Sequence, residues 1–351
     1  MLEAARRAIA EGANQYPPGP GIPALRAAVA DQRRRRFGVD YDPDTEVLVT
    51  VGATEGIAAA VLGLVEPGSE VVLIEPFYDS YSPVVAMAGA HRVGVSMVPA
   101  GAGFALDLDA VRAAITPRTR ALILNTPHNP TGWVASDDEL RGLAEIAVAA
   151  DLLVISDEVY EHLVFDGRVH RPLAAYPGMF ERTVTVSSAA KMFNVTGWKI
   201  GWALGPAELI TGVRAAKQYL TYVGGSPLQP AVAEALDTGD GWVDELCATL
   251  AARRDRLAVA LTDIGFAVHD SGGTYFLCAD PRPLGYPDST AFCADNWPSS
   301  WFMSRPICAS RFCETSTKTL SSCTPNCSTL ATSRTRSSCW RTSSAKVFSS
   351  A

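Results

Sequence analysis

Lysine is scarce in this sequence, and two of its lysines lie where they can do chemistry. Only three precede residue 296, and Lys191 and Lys199 share the segment Ser187-Ser-Ala-Ala-Lys-Met-Phe-Asn-Val-Thr-Gly-Trp-Lys. A lysine amine forms a Schiff base with a carbonyl once it is deprotonated, which desolvation or a nearby cation promotes. Most lysines are surface residues, but the Phe, Trp and Gly around Lys191 favour this role. Lys199 can be the cation or can neutralise a phosphate.

A carboxylate ends the apolar run Leu152-Leu-Val-Ile-Ser-Asp, which continues as Glu-Val-Tyr. At the end of a strand Asp157 can simply cap a helix, but beside a bound pyridine ring it can keep the ring nitrogen protonated. That protonated nitrogen is what makes pyridoxal phosphate an electron sink. Tyr160, three residues later, is placed to contact the phenolic oxygen of such a ring.

Turn-forming residues fill the segment Asn125-Thr-Pro-His-Asn-Pro-Thr-Gly. A plain turn is the simplest interpretation. Two asparagines directly after a buried strand are nevertheless more than a tight connection requires. Asn129 can therefore also donate a hydrogen bond to the ring oxygen.

Gly52, Ala53 and Thr54 lie at a predicted junction between a strand and a helix. Backbone amides at a helix N-terminus bind phosphate, so this junction is a candidate phosphate cradle. The sequence is neither Gly-x-Gly-x-x-Gly nor a Walker motif, which disfavours nucleotide binding. Tyr78, in the segment Glu75-Pro-Phe-Tyr-Asp-Ser-Tyr, either packs in the core or stacks on a flat ring.

Short β-branched runs alternate with alanine-rich helical patterns. The predicted strands are Glu46–Val51, Glu70–Ile74, Arg120–Asn125, Leu152–Asp157 and Thr183–Ser187, and the predicted helices are Glu55–Leu64, Asp107–Ala114 and Asp137–Ala149. Strands that are apolar almost throughout predict an α/β fold, with a mostly parallel sheet covered by helices on both faces. Ligands bind beyond the carboxyl ends of such strands, where the candidate residues fall.

The second half of the chain has different elements. Pro206–Tyr222 and Gln229–Leu261 predict two helical stretches that lead away from the sheet. Ile264–His269 and Thr274–Ala279 resemble strands of a smaller α+β domain.

Composition divides the chain near residue 296. The 351 residues carry a net charge of −7, which argues against a nucleic-acid-binding surface, and their length predicts two domains. Residues 1–295 hold 23 basic and 36 acidic residues, whereas residues 296–351 hold seven basic and one acidic residue, five of the eight cysteines and no glycine. Out-of-frame translation of a GC-rich gene gives such a composition, so we expect an aberrant, disordered tail. A genuine Ser/Thr-rich tail is the alternative.

The sequence also argues against a secreted, a membrane-spanning or a metal-binding protein. The start, Met1-Leu-Glu-Ala-Ala-Arg-Arg, lacks the apolar region of a signal peptide, and no run of about 18 apolar residues predicts a membrane span. Neither the histidines nor Cys247, Cys278 and Cys293 show metal-ligand spacing, and these cysteines show no disulfide spacing. We therefore expect no metal and a reducing cytoplasm.

Three ordered motifs resemble those of the class I/II aminotransferases, which are fold-type I pyridoxal-phosphate enzymes. They are Asn-Pro-Thr-Gly at 129–132, Asp-Glu-Val-Tyr at 157–160 and Ser-x-x-Lys followed by Thr-Gly-Trp-Lys at 188–199. The segments Gln-Tyr-Pro-Pro-Gly-Pro-Gly, Glu-Pro-Phe-Tyr-Asp-Ser-Tyr and Gly-Thr-Tyr-Phe-Leu are similar to the kynurenine, glutamine and methionine aminotransferase branch. They are also similar to actinobacterial N-succinyldiaminopimelate aminotransferases.

The resemblance implies a role for each residue that faces the cofactor ring. Lys191 would form the Schiff base and move the proton between the substrate Cα and the cofactor. Asp157 would pair with the pyridinium nitrogen, and Tyr160 and Asn129 would contact the ring oxygen, with Asn129 also near the substrate. Tyr78 would stack on the ring.

The resemblance also implies how the phosphate of pyridoxal 5′-phosphate is held and that the chain forms a homodimer. The implied phosphate-binding residues are Gly52, Ala53, Thr54, Ser188 and Lys199. Tyr16 would reach the phosphate of the neighbouring subunit.

The implied reaction is a ping-pong transamination. An amino acid, N-succinyl-LL-2,6-diaminopimelate or glutamate, would give its amino group to the cofactor, and a 2-oxo acid would take it up. The alternatives are a cofactor-binding remnant with little turnover, a kynurenine or glutamine aminotransferase, and a β-lyase that releases pyruvate from cysteine conjugates. The expected partners are these small molecules, with no nucleic acid or membrane.

The resemblance leaves two expected gaps at the substrate site. A preceding segment with an Asn-Leu-Gly-Gln-Gly-type loop is expected to be missing, as is the C-terminal arginine that grips the substrate carboxylate bidentately. The predicted domains are an N-terminal segment that belongs to the small domain and the dimer contact (1–30), a large cofactor-binding domain (31–240), a further part of the small domain (241–295) and the tail (296–351).

Overall fold

The computed structural model describes residues 1–296, and these fall into two compact units. The first unit contains residues 1–264 and 268–279, and the second contains residues 265–267 and the chain from residue 280 on. All the candidate site residues named above belong to the first unit. Apart from Asn296, the predicted tail lies outside the described residues, so its disorder stays a prediction, as do the domain limits.

Eleven α-helices and eleven strands lie within the described residues. The helices are α1 (Leu2–Ala10), α2 (Pro23–Phe37), α3 (Gly52–Leu64), α4 (Tyr81–Met87), α5 (Leu108–Ala113), α6 (Asp137–Ala149), α7 (Ala189–Met192), α8 (Ala207–Lys217), α9 (Gln229–Thr238), α10 (Asp240–Asp263) and α11 (Ser289–Asn296). The strands are β1 (Val47–Thr50), β2 (Glu70–Glu75), β3 (His91–Ser96), β4 (Val98–Ala100), β5 (Gly103–Ala105), β6 (Thr119–Asn125), β7 (Leu153–Asp157), β8 (Thr183–Ser188), β9 (Gly201–Leu204), β10 (Ala267–Val268) and β11 (Ala279–Asp280). None of these helices has both the length and the apolar character that a membrane crossing needs.

Seven strands form the central sheet, in the order β1-β9-β8-β7-β6-β2-β3. Strands β3, β2, β6, β7 and β8 run parallel, while β9 is antiparallel to both β8 and β1. The predicted α/β fold with a mostly parallel sheet is thereby confirmed. Asn125 pairs with Asp157 in the register, so two of the candidate segments leave the sheet at the same carboxyl edge.

Alternating side chains build a hydrophobic core on each face of the sheet. Leu48 and Ala203 belong to one buried cluster together with residues of α3, α4 and α8. Val49 and Trp202 belong to another cluster together with residues of α2 and α9. Because successive strand residues point to opposite faces, helices must cover both faces, as predicted.

The helical region after residue 206 differs from the two predicted stretches. It contains three helices, because Gly239 separates α9 from α10. Helix α8 packs into the core instead of leading away, with Ile210 and Val213 buried. Close approach of α8 to α3 requires small residues: a Cβ on Gly63 would lie 2.4 Å from the carbonyl oxygen of Gly212.

The two strands predicted for the smaller domain are mostly absent. Ile264–His269 and Thr274–Ala279 contribute only the two-residue strands β10 and β11. Thr274 has a φ of +68°, and its N–H donates to the carbonyl of Leu163. The segment at 274–279 is therefore a loop of the first unit, bonded to its neighbouring segment at Leu163, instead of a regular strand.

The second unit contains a small aromatic cluster. The rings of Phe266 and Tyr286 each contact Phe292 of α11 edge-on, with centroids 5.2 and 5.1 Å away. The side-chain amide of Asn296 donates to the hydroxyl of Tyr286.

Candidate active site

Lys191 lies on α7, the single turn of helix that follows β8. The turn is anchored by the N–H of Ala189, which donates to the carbonyl of Ile200, the residue before β9. The Lys191 side chain is half-buried, and its Nζ donates a hydrogen bond of 2.8 Å to the hydroxyl oxygen of Tyr275. The amine is thus held in a defined place at the carboxyl edge of the sheet.

Asp157 is the last residue of β7, and its carboxylate is buried. The hydroxyl of Tyr81 donates to one carboxylate oxygen, and the N–H of Val159 donates to the other at 3.2 Å. Burial raises the pKa of Asp157 to about 6, while these two hydrogen bonds and the charge of Lys191 act in the opposite direction. A buried carboxylate held in this way is suited to accept a charged N–H group from a ligand.

Tyr160 and Tyr275 form an aromatic corner around the lysine. Their rings are edge-on, with centroids 5.4 Å apart, and the hydroxyl of Tyr160 donates to that of Tyr275 at 3.3 Å. The Nζ of Lys191 lies 5.6 Å from the ring centroid of Tyr160 and 5.4 Å from that of Tyr275. Burial and the neighbouring Tyr275 raise the pKa of Tyr160 well above its usual value, so its hydroxyl stays protonated and able to donate.

The loop that carries Asn129 is tied to the backbone of Asp157. The side-chain amide of Asn125 donates to the carbonyl of Asp157 at 2.9 Å, and its oxygen accepts the N–H of Asn129 at 2.7 Å. Tyr78 packs edge-on against Tyr81, with centroids 5.7 Å apart. The structure thus links Asn129 to the backbone of Asp157 through Asn125, and Tyr78 packs against Tyr81, which bonds the carboxylate of the same residue.

Gly52 opens helix α3 and lies next to Lys199. Gly52 has a φ of +74°, and a Cβ on it would lie 3.2 Å from the Nζ of Lys199. A Cβ on Gly201 would lie 2.6 Å from the carbonyl carbon of Gly52 and 2.8 Å from the nitrogen of Ala53, and Gly201 pairs with Ser188 in the sheet. The first amides of α3 have no acceptor within the helix.

The cradle formed by the start of α3, Ser188 and Lys199 therefore fits an anion. Free amides, a hydroxyl and an ammonium group converge there, and the helix dipole favours negative charge at that end. Thr54, the third residue of the helix, belongs to the same first turn. The residues present fit a phosphate.

Tyr16 lies on the surface of this chain. It is 81% exposed and packs edge-on against Tyr222, with centroids 5.6 Å apart. Its predicted contact belongs to a neighbouring subunit and stays a prediction. The predicted lack of a carboxylate-binding arginine concerns the chain after residue 295 and lies, apart from Asn296, outside the described residues.

A buried ionic network lies directly behind the site and was not predicted from the sequence. Arg33 is fully buried and pairs with both Glu158 and Glu161, while His170 lies 3.1 Å from Glu158. Burial alone would raise the pKa of Glu158, but Arg33 and His170 lower it to about 2. The two glutamates and His170 are close enough to hold a metal ion, but here the cation that both glutamates bind is Arg33.

Sequence reasoning also missed Tyr81 and Tyr275, the hydrogen-bond partners of Asp157 and Lys191. Both lie in segments that carried the family likeness, but nothing in their spacing indicated which residues they contact. Arg33 was hidden in a run of four arginines, a pattern typical of a solvated surface.

The geometry suits one kind of cofactor, a phosphorylated pyridine aldehyde. The amine of Lys191 can bind its aldehyde, the carboxylate of Asp157 its ring nitrogen, and the cradle at Gly52 its phosphate. The fold and the site thus define a pyridoxal-phosphate-dependent enzyme of fold type I.

The family model for aminotransferases of class I and II matches residues 1–300, and the chain belongs to this family. It is 77% identical over 294 residues to a probable N-succinyldiaminopimelate aminotransferase of Mycobacterium tuberculosis, a match that covers 84% of this chain and 74% of that protein. It is 39% identical over 298 residues to kynurenine–oxoglutarate transaminase 3 of Rattus norvegicus, covering 81% of this chain and 66% of the relative.

Solved structures agree with this assignment. The structure of N-succinyldiaminopimelate aminotransferase from Mycobacterium tuberculosis matches with a TM-score of 0.83 and 77% identity, covering 84% of this chain and 76% of that one. A methionine aminotransferase of Escherichia coli matches with a TM-score of 0.80 and 37% identity, covering 83% and 76%. The predicted family, enzyme class, fold type and cofactor, pyridoxal 5′-phosphate, are confirmed.

Proposed function

We propose that this aminotransferase moves the amino group between N-succinyl-LL-2,6-diaminopimelate and a 2-oxo acid, with glutamate and 2-oxoglutarate as the other pair. The observation that carries the class of reaction is the convergence of Lys191, Asp157 and the Gly52 cradle within one unit. The relative named for this substrate is 77% identical, whereas the relative named for kynurenine is 39% identical, which supports the choice of donor.

We assign the cofactor contacts as follows. The ring nitrogen is held by Asp157, the ring oxygen by Tyr160 and Asn129, and the ring face by Tyr78. The residues assigned to the phosphate are Gly52, Ala53, Thr54, Ser188 and Lys199. When bound, pyridoxal phosphate withdraws electrons from the substrate Cα, so that a proton can leave it.

Lys191 is assigned the proton transfer. Its Nζ takes the proton from the Cα of the donor and returns a proton on the cofactor side, acting in turn as general base and general acid. The carboxylate of Asp157 stays anionic beside the ring nitrogen and supports its positive charge. The same residues serve both half-reactions, in a ping-pong sequence in which the first product leaves before the second substrate binds.

The exposed aromatic surface near Tyr16 supports the assignment of a homodimer. Tyr219 is 90% exposed, and Leu220 and Tyr222 are also exposed large apolar residues close by in the sequence. Several exposed apolar side chains within a few residues of one another are typical of protein interfaces. We assign this surface to a second copy of the chain, with Tyr16 reaching the phosphate of its partner, and we assign the enzyme to the cytoplasm.

Steady-state assays of the full chain with bound cofactor test the proposed substrate. The assays use 2-oxoglutarate as acceptor, measure glutamate formation, and compare N-succinyl-LL-2,6-diaminopimelate, kynurenine and glutamine as donors. We expect kcat/KM to be about tenfold or more higher for the succinylated donor. A higher value for kynurenine or glutamine overturns the assignment, and pyruvate release from a cysteine conjugate would indicate β-lyase activity instead.

A further inference from the structure

We propose that Tyr275 is a positioning residue that orients the amine of Lys191 for proton transfer, an inference that rests on the proposed role of Lys191. The hydroxyl oxygen of Tyr275 accepts two hydrogen bonds, from the Nζ of Lys191 at 2.8 Å and from the hydroxyl of Tyr160 at 3.3 Å. A phenolic oxygen can accept at both of its lone pairs, so the two donors can bind at the same time.

The direction of the hydrogen bond has a chemical consequence. A neutral lysine amine has two N–H bonds and one lone pair, and only the lone pair can take a proton from the substrate. When one N–H donates to Tyr275, rotation about the last bond of the side chain is restricted. The lone pair of Lys191 is then kept away from Tyr275 and available for the substrate.

The two aromatic rings restrict the amine further. Nζ lies 5.4 Å from the ring centroid of Tyr275 and 5.6 Å from that of Tyr160, and the two rings are inclined at 81°. Because Nζ is 2.8 Å from the hydroxyl oxygen of Tyr275 and 5.4 Å from the centroid of that ring, the amine lies beyond the hydroxyl edge of Tyr275 and not over its face. The ring of Tyr160 lies beside the amine and can attract it when it carries the proton. The corner can hold the amine in both of its protonation states.

Tyr275 is itself held in place by backbone bonds to the other parts of the site. The N–H groups of Gly272 and Gly273 both donate to the carbonyl of Gly132, at 2.9 and 3.0 Å. The N–H of Thr274 donates to the carbonyl of Leu163 at 2.8 Å. The loop before Tyr275 is thus bonded to the turn that carries Asn129 and to the segment that follows Tyr160.

The contact between this loop and the turn leaves no room for a side chain. Gly132 has a φ of +71°, and a Cβ there would lie 2.0 Å from the hydroxyl oxygen of Ser271. The hydroxyl of Ser271 in turn donates to the carbonyl of Phe276 at 3.0 Å, which closes the loop around Tyr275. Tyr275 therefore keeps a fixed position relative to the residues assigned to the cofactor.

Tyr275→Phe, which removes one oxygen and keeps the ring, tests the proposal in the cofactor-loaded full chain. We expect kcat to fall about tenfold with little change in KM, because proton transfer and not binding is affected. The kinetic isotope effect with donor deuterated at Cα should rise, since a loss of folding stability alone does not make the proton-transfer step slower. Tyr176→Phe, which removes a hydroxyl bonded to Asp137 outside the site, should leave both values unchanged.

A second readout uses the full chain without cofactor. Reductive methylation by formaldehyde, followed by peptide mass spectrometry, measures the reactivity of each lysine. In Tyr275→Phe, Lys191 should react several-fold faster because its amine is released, while Lys199 should react as in the wild type. Unchanged Lys191 reactivity together with an unchanged isotope effect overturns the proposal. Transamination by Lys191→Ala would instead refute the proposed function, whatever Tyr275→Phe shows.

Discussion

The hydroxyl of Tyr81 donates a hydrogen bond to the buried carboxylate of Asp157. Tyr81 begins α4, which follows β2, and Asp157 ends β7, so the bond joins two separate connections at the carboxyl edge of the sheet. It stabilises the anionic form of a group whose burial favours the neutral form. The charge that faces the cofactor nitrogen therefore depends on a residue that itself has no assigned contact with the cofactor.

Tyr81→Phe should shift the pH dependence of cofactor binding. The pKa of Asp157, about 6 in the wild type, should rise by about one unit when a hydrogen bond to the charged form is lost. Below the new pKa more of the carboxylate is neutral, so cofactor affinity should weaken near pH 7 and recover at higher pH. Titrating the protein with cofactor at several pH values, followed by the cofactor absorbance, measures the affinity. If the affinities of wild type and variant depend on pH in the same way, Tyr81 does not act through Asp157.

Arg33→Met should destabilise the fold strongly. It leaves Glu158 and Glu161 charged and buried without their cation, which costs about 3–5 kcal/mol. Arg34→Met is the matched control, because Arg34 forms only an exposed pair with Asp31 and should change the free energy of unfolding by about 0.5 kcal/mol or less. Urea unfolding measures the free energy of unfolding of both variants. Equal free energies would mean that the buried network does not stabilise the fold.

Gly201→Ala should weaken cofactor binding. The added carbon would lie 2.6 Å from the carbonyl carbon of Gly52 and would push the start of α3 out of place. Overpacking of this kind costs about 1–3 kcal/mol, which corresponds to a loss in affinity of about tenfold or more. Gly197→Ala is the control, because a Cβ on Gly197 would meet no atom within 4 Å. Equilibrium dialysis measures the affinity for pyridoxal phosphate. If both variants bound it as tightly as the wild type does, the start of α3 would not be the phosphate site.

Tyr219→Glu should weaken the proposed dimer. A charge placed at a side chain that is 90% exposed does not disturb the fold, but it must be desolvated if this surface is buried between subunits. Analytical ultracentrifugation should show a shift towards the monomer. Val169→Glu, at another exposed apolar side chain, is the control, and an identical dimer fraction in all three proteins would place the interface elsewhere.

The sequence was sufficient for five of the seven strands of the central sheet and for the order of the site residues, but β3 and the antiparallel β9 were not predicted. Apolar strands and turn segments predicted β6, β7 and β8 and the positions of Asn129, Asp157 and Lys191, because hydrophobic periodicity and local turn chemistry are encoded within short windows. The contacts of Tyr81 with Asp157, of Tyr275 with Lys191 and of Arg33 with Glu158 could not be predicted. They join residues 76, 84 and 125 positions apart, which only the packing of the helices against the sheet brings together.

The difference between local signals and long-range contacts also explains why the elements predicted after residue 206 were partly wrong. Helix α8 packs on α3 because Gly63 and Gly212 allow the two backbones to approach, a pairing that neither segment reveals by itself. The predicted strand at Thr274–Ala279 is instead a loop that depends on acceptors at Leu163 and Gly132. Local β-branched and aromatic residues therefore predicted a strand where tertiary hydrogen bonds impose a turn.

Single-turnover reaction of the cofactor-loaded full chain with N-succinyl-LL-2,6-diaminopimelate, in the absence of any 2-oxo acid, tests the central claim most directly. We expect the absorbance of the bound cofactor to change in one kinetic phase, with one equivalent of 2-oxo acid formed per site, and we expect Lys191→Ala to show no such conversion. A wild-type protein whose cofactor spectrum no amino acid changes, or a Lys191→Ala variant that converts at the wild-type rate, would contradict the claim.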